Sequence, residues 1–141
     1  MSSKLSISIE KQVPFYDVDS LQIVWHGHYA KYFEEARCAL LEKIGCTYED
    51  MKEWGFFFPV IDLSVRYIKP LSFKQKIRVN AVIKEWQNKL VIQYLITDSK
   101  SDERLTKGST TQVAISMPDH ITQYDSPAPL IEKINNLLKD D

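Results

Sequence analysis

Residues 16–37, "YDVDSLQIVWHGHYAKYFEEAR", place two acids one residue apart and then two histidines one residue apart, just ahead of a change in periodicity. From Tyr29 the apolar residues recur at three and four: Tyr29, Phe33, Ala36, Leu40 and Ile44, joined by Tyr32, Ala39 and Leu41. That spacing predicts an amphipathic helix, which Gly45 ends as a C-cap. Its polar residues are confined mainly to Lys31, Glu34, Glu35 and Glu42. So wide an apolar face is the pattern of a helix embraced by something large.

On either side of this helix the period is two. Leu5, Ile7, Ile9, Val13 and Phe15 occupy odd positions ahead of it and predict a half-buried strand. After it, Thr47 and Asp50 form a capping-box signal for a short second helix ending near Gly55. Alternation then resumes through Ile61, Leu63, Val65 and Tyr67, again through Ile77 to Ile83 and Leu90 to Ile96, and along a strand from about Leu105 to Met117. "QNK" and "SKSDE" read as hairpin turns, "KPLSFK" as a slightly longer connection, and "APLIEKINNLLKDD" as a short amphipathic helix. Hairpin-length connections imply an antiparallel sheet, and the one long helix must cover its apolar face. The expectation is an α+β domain spanning 1–141, with a curved antiparallel sheet of about five strands wrapped around one long helix. Its edge strands invite pairing with a second copy.

Composition narrows the function classes. The 141 residues are 44% hydrophobic and 26% charged, with a formal net charge of −1 and no massed basic run. That argues against a nucleic-acid binder held by phosphate contacts. The opening "MSSKLSISIEK" lacks an apolar signal core, and the run Phe56 to Ile61 is short and broken by Pro59, so neither a signal peptide nor a membrane span is expected. Cys38 and Cys46 have no metal-binding or redox spacing and read as reduced, mostly structural thiols, with Cys38 as a packing residue of the helix. A soluble cytoplasmic chain is the expectation.

Several chemistries fit the opening stretch. Asp17, Asp19, His26 and His28 are ligand types for a metal, yet no motif such as HExxH accompanies them, and polar side chains lining a solvated turn explain them as well. No G-x-S-x-G elbow is present. A carboxylate beside a helix N-terminus is the sharper alternative. The first N–H groups there lack internal partners and sit at the positive end of the dipole, where they can accept an oxyanion, and Gly27 lets a carbonyl approach the backbone. A nearby carboxylate can attack that carbonyl or activate water. The same acids can equally serve as N-cap or turn residues.

Tyr16, Asp17, Asp19, Val24, Trp25, His26, Tyr29, Phe33, Glu34, Ala36 and Arg37 give the segments Y-D-x-D, V-W-H-x-x-Y and F-E-x-A-R. The stretch resembles the hotdog-fold acyl-CoA thioesterases of the 4-hydroxybenzoyl-CoA thioesterase class, which includes the YbgC-like enzymes. The resemblance implies Asp19 as nucleophile or general base, with the backbone at His26 and Gly27 as oxyanion donors. It implies a His26 side chain that orients water or the carboxylate, and Tyr29 in the substrate pocket. Gln22, with Leu21, stands beside the acyl pocket where relatives carry small residues. Lys89 in "EWQNKLV" and Lys69 become candidates for the phosphates of coenzyme A, with solvated surface lysines as their plain alternative. Glu34 and Arg37 read as a structural pair, and Asp17 and His28 as loop and helix-cap residues. No metal or cofactor is needed. An acyl-CoA or acyl-carrier-protein thioester is the implied substrate, and a homodimer or homotetramer the implied assembly. Two rivals remain: a hotdog enoyl-thioester hydratase, whose D-x4-H spacing differs from the seven positions between Asp19 and His26, and a non-catalytic acyl-thioester-binding module.

Overall fold

Alternation along the central strands decides which face of the sheet meets the helix. In the computed structural model, which describes residues 3–139, β4 (Lys76–Glu85) buries Ile77, Val79, Ala81 and Ile83, and β5 (Leu90–Asp98) buries Leu90, Ile92, Tyr94 and Ile96. All of these project to one side, because side chains two apart share a face. With β1 (Ser6–Gln12), β3 (Val60–Tyr67) and β6 (Arg104–Gln112) they form an antiparallel sheet in the order β1-β4-β5-β6-β3. Helix α1 (Tyr29–Lys43) lies in its curve against β4 and β1, burying Tyr29, Tyr32, Phe33, Ala36, Leu40 and Leu41. This is the hotdog arrangement. Gly45 at φ 74° ends the helix, as its position predicted.

Helix α2 (Tyr48–Glu53) carries the full capping box: Asp50 N–H donates to Thr47 Oγ1 at 3.1 Å and Thr47 N–H to the Asp50 carboxylate at 3.0 Å. A small sheet of β2 (Phe56–Phe57), β7 (Ile115–Ser116) and β8 (Ile121–Thr122) adjoins it, and α3 (Ala128–Lys139) seats Leu130 and Ile134 in the core. The strand expected to run to Met117 therefore stops at Gln112 and restarts in the small sheet. The first strand likewise stops at Gln12, and Phe15 lies exposed in the turn beyond it.

β6 meets the helix through Thr106, Gly108, Thr110 and Gln112, paired with Ile96, Tyr94, Ile92 and Leu90. Gly108 is required by close approach, because a Cβ there would lie 2.3 Å from the Phe33 ring and 2.9 Å from the Ser64 carbonyl oxygen. Phe33 in turn stacks on Tyr94 with centroids 4.4 Å apart.

Three expectations need correction. Alternation along β3 does not bury Leu63 and Tyr67: 46% and 49% exposed, they lie on the helix-facing side of an edge strand at the margin of α1, which meets Tyr67 through Tyr29. Cys38 is exposed on the outer side of α1, whereas Cys46 is buried and its thiol is pushed up to about 11 by that burial. Segment 68–75, expected as a slightly longer connection, is a crossover, because β3 pairs with β6 at the far edge and the chain must cross to reach β4. That crossing carries it beneath the start of α1.

Candidate active site

The loop entering α1 is built around Asp17. Its carboxylate, 1% exposed, accepts hydrogen bonds from Lys31 Nζ at 2.6 Å and Tyr32 Oη at 2.7 Å, with His28 Nε2 at 3.9 Å. Burial raises the carboxyl, but the Lys31 and Tyr32 hydrogen bonds and the Lys31 and His28 charges outweigh it, leaving the group below its ordinary value. The Tyr32 hydroxyl moves the other way, raised by burial and then by the Asp17 bond, so it remains a proton donor. Asp17 is thus no solvated loop residue but a buried anchor tying the loop to the first turn of α1. Its backbone carbonyl also accepts the Trp25 N–H at 3.0 Å. His28 stands at the N-cap position of α1, with no side-chain capping bond.

Between Asp17 and Trp25 the chain makes a small closed turn. Val18 bridges Val24, Asp19 N–H donates to Ile23 O at 2.9 Å, and Gln22 N–H donates to Asp19 O at 3.0 Å, with Gln22 at φ 64°. One oxygen of Asp19 accepts the Leu21 N–H at 2.8 Å. Among the described residues its other oxygen meets no donor, and the side chain is partly exposed at the lip of a cleft.

Segment 68–75 supplies the opposite wall. Val24 N–H donates to Leu71 O at 2.8 Å, Phe73 N–H to Gln22 O at 3.0 Å, and Ile23 bridges Ser72. Tyr29 Oη accepts from Leu71 N–H at 3.4 Å, and the Tyr29 and Tyr67 rings meet edge to face at 4.7 Å. Tyr67 Oη donates to the His26 carbonyl oxygen at 3.0 Å. The cleft between these walls, about 220 Å³ and open to one side, is lined by Asp19, His26, Tyr29, Tyr67 and Lys69 among others.

A short 3-10 turn, His26–His28, leads into α1. Among the described residues the His26 and Gly27 N–H groups meet no acceptor, as expected where a helix begins. The Trp25 ring lies over Gly27, where an added Cβ would sit 2.1 Å from a ring carbon, so any side chain there displaces the indole.

The structure therefore brings Asp19, His26, Tyr29 and Lys69 to one cleft. No hydrogen bond joins His26 to Asp19, and Lys69 is ion-paired with Glu103 at the cleft mouth. Gln22 lies outside the cleft, exposed on the turn, and Lys89 is exposed at the β4–β5 hairpin, away from it. Arg37 is buried rather than simply paired along the helix. Its Nε donates to Tyr48 Oη at 2.7 Å, while Glu34 stands 3.8 Å off. Among the described residues no group of three or more His, Cys, Asp or Glu is placed to hold a metal, since Asp17 turns inward and Asp19 toward the cleft. Tyr67 escaped the sequence reading because it completes an alternating strand. Its position at the end of that strand, two residues before Lys69 and three before Pro70, was the available signal.

Residues 13–132 match the sequence profile of the thioesterase-like superfamily. The chain belongs to that superfamily. Among solved structures, a 1,4-dihydroxy-2-naphthoyl-CoA thioesterase from Synechocystis superposes with a TM-score of 0.83 at 22% identity, covering 94% of this chain and 97% of that one. A DHNA-CoA thioesterase from Staphylococcus aureus has a TM-score of 0.81 at 28% identity, covering 96% and 94%. The Bacillus subtilis protein named "Putative acyl-CoA thioesterase YneP" is 34% identical over 77 residues, covering 55% of this chain and 53% of its own length. The chain spans between half and three-fifths of the length of the curated relatives it matches. No helix among the described residues of this superfamily member is long and apolar enough to cross a membrane.

Proposed function

We propose that this superfamily member hydrolyses acyl-CoA thioesters to free acid and thiol, within the 4-hydroxybenzoyl-CoA thioesterase class and its YbgC-like branch. One observation carries the reading. An uncommitted carboxylate oxygen of Asp19 and the unpartnered N–H group of His26 border the same cleft, with the unpartnered N–H of Gly27 next along the turn. A thioester carbonyl seated between them has its carbon toward the carboxylate and its oxygen toward the backbone donors.

Two routes use this geometry. Asp19 attacks the carbonyl carbon, expels the thiolate and leaves a mixed anhydride that water hydrolyses; or Asp19 takes a proton from water, whose oxygen then attacks. In both, the carbonyl oxygen becomes an anion in the transition state. One well-aimed donor is typically worth about a hundredfold or more there. Tyr67 steadies the donor turn through the His26 carbonyl, and the His26 side chain stands where water or the leaving sulfur can be served.

The acyl group needs an apolar site larger than this cleft. A hollow of about 650 Å³ lies between α2 and β2, lined by Tyr48, Met51, Phe56, Phe57 and Phe58. β3 is an edge strand with apolar Ile61, Leu63 and Tyr67 exposed. Pairing it antiparallel with a second copy across a two-fold axis would set the Val60 end of one strand beside the Tyr67 end of the other. The aromatic hollow of one copy then adjoins the Asp19 cleft of its mate. A homodimer, or a pair of such dimers, with an aromatic-tolerant acyl pocket follows.

The test is a thiol-release screen over aryl- and alkyl-CoA esters and acyl-carrier-protein thioesters, with Asp19→Asn alongside. Release by the wild type and its near loss in the variant support the proposal. Crotonyl-CoA hydrated without thiol release would make the chain a hydratase, and ligand binding without turnover across the panel would make it a binding module.

A further inference from the structure

A second concavity lies on the sheet face that points away from α1, a groove of about 930 Å³. Two cross-strand rows form its floor. One runs Ser8–Asn80–Leu95–Lys107–Arg66 and the next Ser6–Val82–Gln93–Ser109–Ser64. Arg66 and Lys107 are direct partners on adjacent strands, an arrangement of like charges that is unfavourable by itself. Arg104 lines the same end, and among the described residues no Asp or Glu lines the groove.

Neighbouring cations are treated differently. Arg78, in the next row, is paired with Glu10 at 3.4 Å and Asp102 at 2.7 Å, and Lys69 with Glu103. Arg66, Arg104 and Lys107 are exposed and make no ion pair among the described residues. In a chain of net charge −1 this is a local excess, placed in a concavity rather than spread over the surface.

The dimensions suit a small molecule more than a protein face, since ligand sites typically enclose about 300–1,000 Å³. Side chains directly opposite on neighbouring strands, roughly 5 Å apart at Cβ, can converge on one phosphate. Beyond them, Ser64, Ser109, Gln93 and Asn80 offer hydroxyls and amides, and Leu95 and Val82 an apolar surface. We propose that this groove binds a phosphorylated nucleotide, with Arg66 and Lys107 sharing one phosphate and Arg104 taking another.

Two sources share that chemistry. One is the nucleotide end of a CoA thioester, an assignment that rests on the thioesterase reading. Arg66 and Tyr67 are consecutive on β3 and face opposite ways, so the cationic end backs onto the Asp19 cleft across one strand. The other is a free nucleotide acting as an effector.

Calorimetric titration with adenosine 3′,5′-bisphosphate, and separately with ADP, tests the site whether or not the chain hydrolyses thioesters. We expect binding that weakens about tenfold or more in Arg66→Glu/Lys107→Glu and with added salt. Thermal melts monitor folding, and Arg66→Gln/Lys107→Gln stands in should the reversal variant misfold. No binding of either nucleotide, or binding unchanged in the folded variant, overturns the proposal. Kinetics separate the sources. A raised KM for acyl-CoA, with hydrolysis of the matching acyl-pantetheine unchanged, assigns the groove to substrate. Altered acyl-pantetheine turnover on adding nucleotide, lost in the variant, assigns it to an effector. Bound nucleotide that moves neither rate overturns any part in catalysis.

Discussion

Asp17 and Asp19 stand two residues apart and share a residue type, yet the fold gives them opposite environments. Asp17 is buried and commits both oxygens, one to the Lys31 ammonium and the other to the Tyr32 hydroxyl, both in the first turn of α1. Asp19 sits at the first position of a tight turn, gives one oxygen to a backbone N–H and keeps the other toward a cleft. A satisfied, buried carboxylate contributes position. A partly solvated one with a free lone pair remains available to react. The difference arises from where each falls in the loop, since a closed turn of this size directs residues at its neck inward and residues at its tip outward.

The contrast can be broken most sharply at Asp19. Asp19→Asn preserves shape and should lower turnover by roughly a hundredfold to ten-thousandfold, with the melting temperature unchanged. Wild-type-like thiol release would remove Asp19 from the chemistry. Asp17→Ala should act on stability first. It strips the buried Tyr32 hydroxyl of its acceptor and Lys31 of its counter-ion, costing about 2–3 kcal/mol by urea denaturation, moderated because Lys31 keeps some solvent. A loss in that range with little change in kcat would confine Asp17 to anchoring; an intact fold with collapsed kcat would show that the two acids work as one.

The pH dependence of stability sharpens the same point. The Asp17 carboxyl is lower in the folded chain than its model-peptide value of about 3.9, so its contribution is fully present above that pH. It fades as pH falls through the lower folded value. Wild type should therefore lose stability more steeply than Asp17→Asn below about pH 4, and parallel curves would refute the assignment.

Smaller effects probe the Asp19 side. Tyr67→Phe removes the hydroxyl bonded to the His26 carbonyl and should lower kcat by several-fold, about 1 kcal/mol, with KM little changed. Lys89→Ala should be milder still, raising KM for CoA esters more than it lowers kcat. An unmoved KM would leave Lys89 a solvated hairpin lysine.

How much of this was legible before folding depended on the range of the interaction. The capping box of Thr47 and Asp50, Gly45 as a helix stop, and the alternation of β4 and β5 were all readable, because each reflects backbone geometry within a few residues. β6 was less so. Its helix-facing side is Thr106, Gly108, Thr110 and Gln112, whose burial follows from the Phe33 and Tyr94 rings stacked above rather than from their own polarity. Cys38 was misplaced because a wide apolar stripe does not reveal where its boundary lies. The motif located Asp19 but not its companion Tyr67, and Lys69 was read only as a candidate for coenzyme A; both arrive from some fifty residues further along the chain.

By itself, then, the sequence determined the long helix, the period-two strands, the turn residues and the acid-rich loop that precedes the helix, since all are set by local sterics and side-chain spacing. Tertiary structure alone decided that β3 pairs with β6, sending segment 68–75 under the helix start to close the cleft. It also decided which acid is locked and which is free, because burial and ion pairing are properties of what packs against a residue.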